Sequence, residues 1–134
     1  MDRTTYIRIG RKDYPMRFSL GASIELGKKF GDLSKMGDQM TKDSLDKQVE
    51  TIVWIIELLI KQGCAYKNLF EADMPVPDTA PVEDGKYVPA TREEIELGVD
   101  LTEAREKIFE CIGGGQKKEI EVKEKKSVKN AETM

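Results

Sequence analysis

Hydrophobic and polar positions alternate at the start of the chain, with Ile7 and Ile9 on one face of an extended segment and Tyr6 and Arg8 on the other. Tyr14, Met16 and Phe18 share a face of the next segment, and Gly10-Arg11-Lys12-Asp13 supplies turn chemistry between the two. The pattern predicts a β-hairpin over residues 5–18, with Pro15 confining its strand to an edge because it has no N–H to donate. A lone two-stranded ribbon is marginal in water, so it needs a packing partner.

The period then changes. Ser19 is a suitable N-cap for a helix at about 19–30 whose apolar positions are Leu20, Ile24, Leu26 and Phe30, and Gly31 offers a left-handed stop. A second helix is expected at about 44–62, capped by Asp43 or Ser44 and ending at Gly63. Leu45, Val49, Ile52, Val53, Ile56, Leu59 and Ile60 form its stripe. Trp54, Ile55 and Leu58 fall away from that stripe, which leaves two readings: a central helix covered by its own domain, or one that meets another chain. On the second reading Trp54, Ile55 and Leu58 are the candidate partner-binding residues.

Prolines 75, 77 and 81, with Glu83-Asp84-Gly85, break any period, so 67–90 reads as a long loop. Its Glu71, Asp73, Glu83 and Asp84 lack calcium-loop spacing. Thr91 with Glu94 reads as a capping box for a helix at 91–98. Asp100 with Glu103 repeats it for one at 101–112, which carries Leu101, Ala104, Ile108, Phe109 and Ile112. Gly113-Gly114-Gly115 reads as a hinge, since the spacing of a phosphate loop is absent. Residues 116–134 hold six Lys and four Glu with few aliphatics, and a disordered tail is the default expectation. Glu119-Ile120-Glu121-Val122-Lys123 alternates, so Ile120 and Val122 are candidate contacts of a strand added to a partner's sheet edge; folding of the tail on a helical partner is the other option.

The expected architecture is α+β: one domain, residues 1–115, with the hairpin packed on about four helices, then the flexible charged tail. At 134 residues such a domain buries enough surface for a core without staples.

Charge narrows the partners. With 35% charged residues and a net charge of −3, the chain lacks the concentrated Lys and Arg from which nucleic-acid and anionic-membrane binding draw their affinity. Residues 1–15 form no apolar h-region, so no signal peptide is expected, and the run 52–60 is far shorter than the ~20 residues that span a bilayer. A cytoplasmic protein is expected. Cys64 and Cys111 are isolated and there is no histidine. Buried free thiols are therefore expected, with neither a metal nor a cofactor.

Catalytic groups are sparse as well. Glu25, Glu57 and Glu110 sit beside apolar helix positions as solvent-edge carboxylates, and Ser19 and Ser23 have no partnered base, so capping explains them better than nucleophilic work. The composition points to binding rather than catalysis.

Met16-Arg17-Phe18-Ser19-Leu20-Gly21-Ala22, followed by Ile24-Glu25-Leu26 and Lys29-Phe30-Gly31, resembles the opening of tail assembly chaperones from long-tailed bacteriophages and prophages of Gram-positive bacteria. The similarity extends through the long apolar helix closing in Gly63 and Ala65-Tyr66 to the helix start at Thr91-Arg92-Glu93-Glu94, covering roughly residues 5–113. The resemblance implies a non-virion assembly factor in the bacterial cytoplasm. It would bind the tape measure protein, keep its apolar helices soluble and help recruit tail tube subunits. It also implies a longer product made by ribosomal slippage near Gly115-Gln116-Lys117-Lys118-Glu119. A homo-oligomer is compatible with it. The alternatives are a structural tail-completion or connector subunit, whose hairpin edge would build a ring, and a host regulatory or scaffolding domain.

Overall fold

The computed structural model describes residues 4–113, and the opening alternation is realised as a hairpin. Strand β1 (Thr5–Ile9) pairs antiparallel with β2 (Lys12–Met16), with Thr5 opposite Met16, Ile7 opposite Tyr14 and Ile9 opposite Lys12. The turn is tighter than the four residues expected. Only Gly10 and Arg11 lie between the paired ends, and Gly10 takes φ +64°, the positive value that a II′ turn requires at its first central position. Ile7, Ile9, Tyr14 and Met16 share the buried face.

Ser19 caps α1 (Leu20–Phe30): its hydroxyl accepts a hydrogen bond from the Ala22 N–H at 3.0 Å. The buried row is Ala22, Leu26 and Phe30, while Leu20 and Ile24, expected on the core face, are exposed. Small Ala22, not Leu20, sets which face can approach its neighbour. A helix absent from the sequence reading follows, α2 (Leu33–Thr41). Asp32 caps it by accepting from the Lys35 N–H at 2.8 Å, and Met36 and Met40 are buried beneath it.

Helix α3 (Leu45–Phe70) is the axis of the fold, packing against β2, α1 and α2 as well as elements described below. Ile52, Val53, Ile55, Ile56, Leu59, Ile60 and Cys64 are all buried, as the central-helix reading requires. Leu45 and Val49, assigned to the same stripe, are exposed at its N-terminal end. Gly63 does not end the helix, which continues for two more turns. Instead it is the point where β2 rests on α3: the Arg17 N–H donates to the Leu59 carbonyl at 3.0 Å, and the Pro15 backbone lies directly against Gly63. Pro15 costs nothing here, since it lies on the same outward register as Arg17 and has no N–H to leave unsatisfied.

The expected loop at 67–90 is shorter than it reads. Its first residues complete α3, and Val82–Glu83 (β3) pairs with Lys86–Tyr87 (β4) across Asp84 and Gly85, at φ 51° and 80°. Two successive positive φ values are the signature of a I′ turn, for which Asp-Gly is a preferred pair. Asn68 fixes this small hairpin to the end of α3: its side-chain oxygen accepts from the Tyr87 N–H at 2.8 Å and its amide donates to the Tyr87 carbonyl at 3.0 Å. The Asp13 N–H donates to the Thr79 carbonyl at 2.9 Å, so residues before β3 lie along the outer edge of β2.

Both bonds of the capping box at the start of α4 (Arg92–Gly98) are present, between Thr91 and Glu94 at 2.8 and 3.1 Å. Asp100 caps α5 (residues 101–113) by accepting from the Glu103 N–H at 2.8 Å. Ala104, Ile108, Cys111 and Ile112 are buried, whereas Phe109, expected on that stripe, is half exposed. Arg105 ties α5 to α2 and α3 by donating to the Met40 carbonyl at 3.2 Å and to the Gln48 side chain. The α+β architecture is therefore as expected, with five helices among the described residues instead of about four. The tail at 116–134 and its Ile120 and Val122 lie outside the described residues.

Candidate partner-binding surface

Ser19 accepts from the Ala22 N–H and donates its own proton to Gln62 Oε1, so its hydroxyl both caps α1 and ties it to α3. Glu25 and Glu110 form loose surface pairs with Lys28 and Lys107 at 3.8 and 3.6 Å. Among the described residues no group of three or more His, Cys, Asp and Glu side chains is placed to hold a metal ion, and no helix is long and apolar enough to cross a membrane.

The two thiols are buried and unbridged. Burial pushes Cys64 up to about 12, and burial likewise dominates at Cys111, also raised to about 12. A thiol held neutral in the fold contributes stability that is complete below its unfolded pKa of ~8.5 and is lost as pH climbs towards 12. We therefore expect the urea midpoint to fall steadily above pH 9. We also expect a thiol-specific reagent to modify neither cysteine in the native protein and both after unfolding. Rapid native labelling of Cys64 or Cys111 would contradict this placement.

The surface offers something else. Leu20 is 85% exposed and Ile24 57%, one helical turn apart on α1. Helix α1 lies antiparallel along α3: at one end the edge of Phe30 meets the Trp54 ring with centroids 5.7 Å apart, and at the other Gly21 packs on Gln62. Leu58, between those two points, is partly buried against the core. One turn beyond Gln62, Tyr66 carries the Arg17 guanidinium on its ring face at 3.6 Å and contacts Phe70 at 5.2 Å; Leu69 and Phe70 are both exposed. Two exposed apolar pairs thus stand on these helices, Leu20 and Ile24 on α1, turned away from its buried row, and Leu69 and Phe70 near the C-terminal end of α3.

Of the residues singled out from sequence, Trp54 and Leu58 are both partly buried against the chain's own core. Trp54 is itself half covered by Phe30 and by the Lys29 ammonium, 4.7 Å above its ring. Ile55 is fully buried in that core because α3 has neighbours on several sides. Ile120 and Val122 lie outside the described residues. Sequence reasoning missed Leu20, Ile24, Leu69 and Phe70, the first two because they were counted as core and the others because α3 was ended early. The row Ala22, Leu26, Phe30 was the available signal, since a small residue at the contact point lets helices approach closely.

No family model matches this chain, and no curated protein or solved structure matches it either.

Proposed function

We propose that this chain is a non-catalytic binding protein that shelters apolar helices of a partner on the exposed apolar face of α1. Following the sequence resemblance, the partner is the tape measure protein of a phage tail in the cytoplasm of the bacterial host, held soluble while tail tube subunits are recruited. The observation that carries this reading is the exposure of Leu20 and Ile24, one helical turn apart on the same face of α1. Covering one Leu- or Ile-sized side chain contributes roughly 1.5–3 kcal/mol, against an association cost of about 4–15 kcal/mol. A handful of such contacts gives weak, reversible holding, which suits a factor that must later be displaced by assembly.

The test is co-expression with the tape measure protein. The wild-type chain is expected to keep it in the soluble fraction, and the double variant Leu20→Glu/Ile24→Lys to lose at least most of that effect. Both replacements are good helix formers, they leave the net charge unchanged, and they form an i,i+4 Glu–Lys pair, so the helix itself should be undisturbed. Equal solubility with the wild type, the variant or no chain at all would defeat the proposal.

A further inference from the structure

A cleft of about 500 Å³ opens where the end of α1, the turn before α3, the first half of α3 and the start of α4 meet, a volume in the range of small-ligand sites. One face of α3 forms its floor: Lys47, Glu50, Thr51 and Trp54 line it at positions i, i+3, i+4 and i+7. Asp43, in the turn, precedes the Lys47 end of this face. At the other end the Lys29 ammonium of α1 lies 4.7 Å above the Trp54 ring.

Two observations point to a ligand. Thr51 is 8% exposed, yet its hydroxyl has no hydrogen-bond partner among the described residues. No fully buried side-chain oxygen or nitrogen among them lacks a partner, so this hydroxyl is reached from the cleft that Thr51 lines. The second observation is charge. Lys29, Asp43, Lys47 and Glu50 line one cleft, and none of them is in an ion pair among the described residues. Lys29 has the Trp54 ring instead, and Lys47 has the Asp46 carboxylate next to it in sequence. Arg92, on the α4 side, is already paired with Glu96 at 3.2 Å and is left out of the site.

The order of these charges selects the ligand. Negative and positive groups alternate along α3: Asp43, Lys47, Glu50, then Lys29 beside Trp54. A simple anion placed at Lys47 or Lys29 has the Glu50 carboxylate about one turn away, and a simple cation placed at Glu50 has an ammonium on either side, so repulsion offsets much of the attraction. A molecule carrying both signs avoids this. We propose that the cleft binds a zwitterionic peptide of dipeptide length, its α-ammonium held by Glu50 and its carboxylate by Lys29. The Thr51 hydroxyl, between those levels, bonds the peptide group, while the Trp54 ring and the lysine stems form an apolar wall for one side chain. About 6 Å of helix separates the levels of Glu50 and Trp54, and an extended dipeptide spans roughly 7 Å.

Calorimetric titration of the full chain with glycyl-leucine tests this. Saturable binding is expected, at least ~10-fold tighter than that of N-acetyl-glycyl-leucine, which lacks the ammonium, or of glycyl-leucinamide, which lacks the carboxylate. Trp54 is the only tryptophan of the chain, and its emission should change over the same concentration range as Lys29 leaves its ring for the ligand. Thr51→Val keeps the shape of the side chain and removes the hydroxyl. That variant and the surface variant Glu50→Gln should each weaken binding at least ~5-fold, with a urea transition showing that both are folded. Absence of saturable binding in the millimolar range overturns the proposal. So does equal binding of either blocked peptide, or binding that survives either variant undiminished.

Discussion

Replacing Gly63 by alanine is expected to cost roughly 3 kcal/mol or more, although Gly63 is in a helix interior, where alanine is intrinsically favoured by about 1 kcal/mol. A Cβ at this position would lie 2.2 Å from the Pro15 carbonyl oxygen, 2.4 Å from its carbon and 2.9 Å from the Met16 nitrogen. All three are backbone atoms, so no rotamer change relieves the overlap. Over-packing in cores commonly costs about 1–3 kcal/mol, and here relief requires β2 to lift away from α3. That breaks the Arg17 to Leu59 hydrogen bond and opens the packing around Pro15 and Met16, both fully buried. Gly27 provides the control. It also lies in a helix, but a Cβ there would meet nothing within 4 Å, so Gly27→Ala should stabilise by roughly 0.5–1 kcal/mol. Urea unfolding at unchanged slope measures both. A Gly63→Ala protein as stable as the wild type would mean that β2 does not rest on α3 at this point.

The same glycine shows what the sequence could and could not disclose. The hairpin, the caps at Ser19, Thr91 and Asp100, and the apolar centre of α3 depend on neighbours close in sequence, and each was legible from residue type and spacing. Gly63 was read as a helix stop because a glycine after an apolar run is the usual C-cap. Its actual reason, contact with a strand nearly fifty residues earlier, is a tertiary fact that local pattern does not carry. Helix α2 escaped for a related reason: Met36 and Met40 are its buried anchors, and two methionines among Gly, Asp, Ser and Lys make too faint a stripe. The Asp84-Gly85 turn was legible in principle and was obscured by the prolines around it. As for the exposed apolar surface, sequence located α1 and α3 but assigned Leu20 and Ile24 inward and left Ile55 open between the core and a partner contact. Which side of an apolar helix stays wet is decided by what packs against it, and here the hairpin, α1 and α2 decide.

Lys67 was read as the start of a loop; it is among the most buried residues of α3, at 7% exposure, and the second large effect is expected there. Its ammonium donates to Glu71 at 2.9 Å and lies 5.5 Å from the centre of the Tyr6 ring. Burial disfavours the charged form, but the hydrogen bonds with Tyr6 and Glu71 outweigh it and raise the pKa above the ordinary lysine value. A raised lysine contributes stability that is complete below its unfolded pKa of ~10.4 and is lost only as pH rises through the folded value, so the contribution is fully present at neutral pH. Removing one partner of a buried pair strands the other, at a typical cost of 3–5 kcal/mol. Because Glu71 keeps partial access to water, Lys67→Met should cost somewhat less, roughly 2–3 kcal/mol, with Met retaining most of the apolar stem packing. The double variant Lys67→Met/Glu71→Leu leaves no stranded carboxylate and should be more stable than Lys67→Met alone. That ordering, read from urea midpoints at pH 7, is the signature of a coupled pair. Strictly additive losses would show that Lys67 is retained for its stem and its place beside Tyr6, and that the contact with Glu71 at the end of α3 contributes nothing.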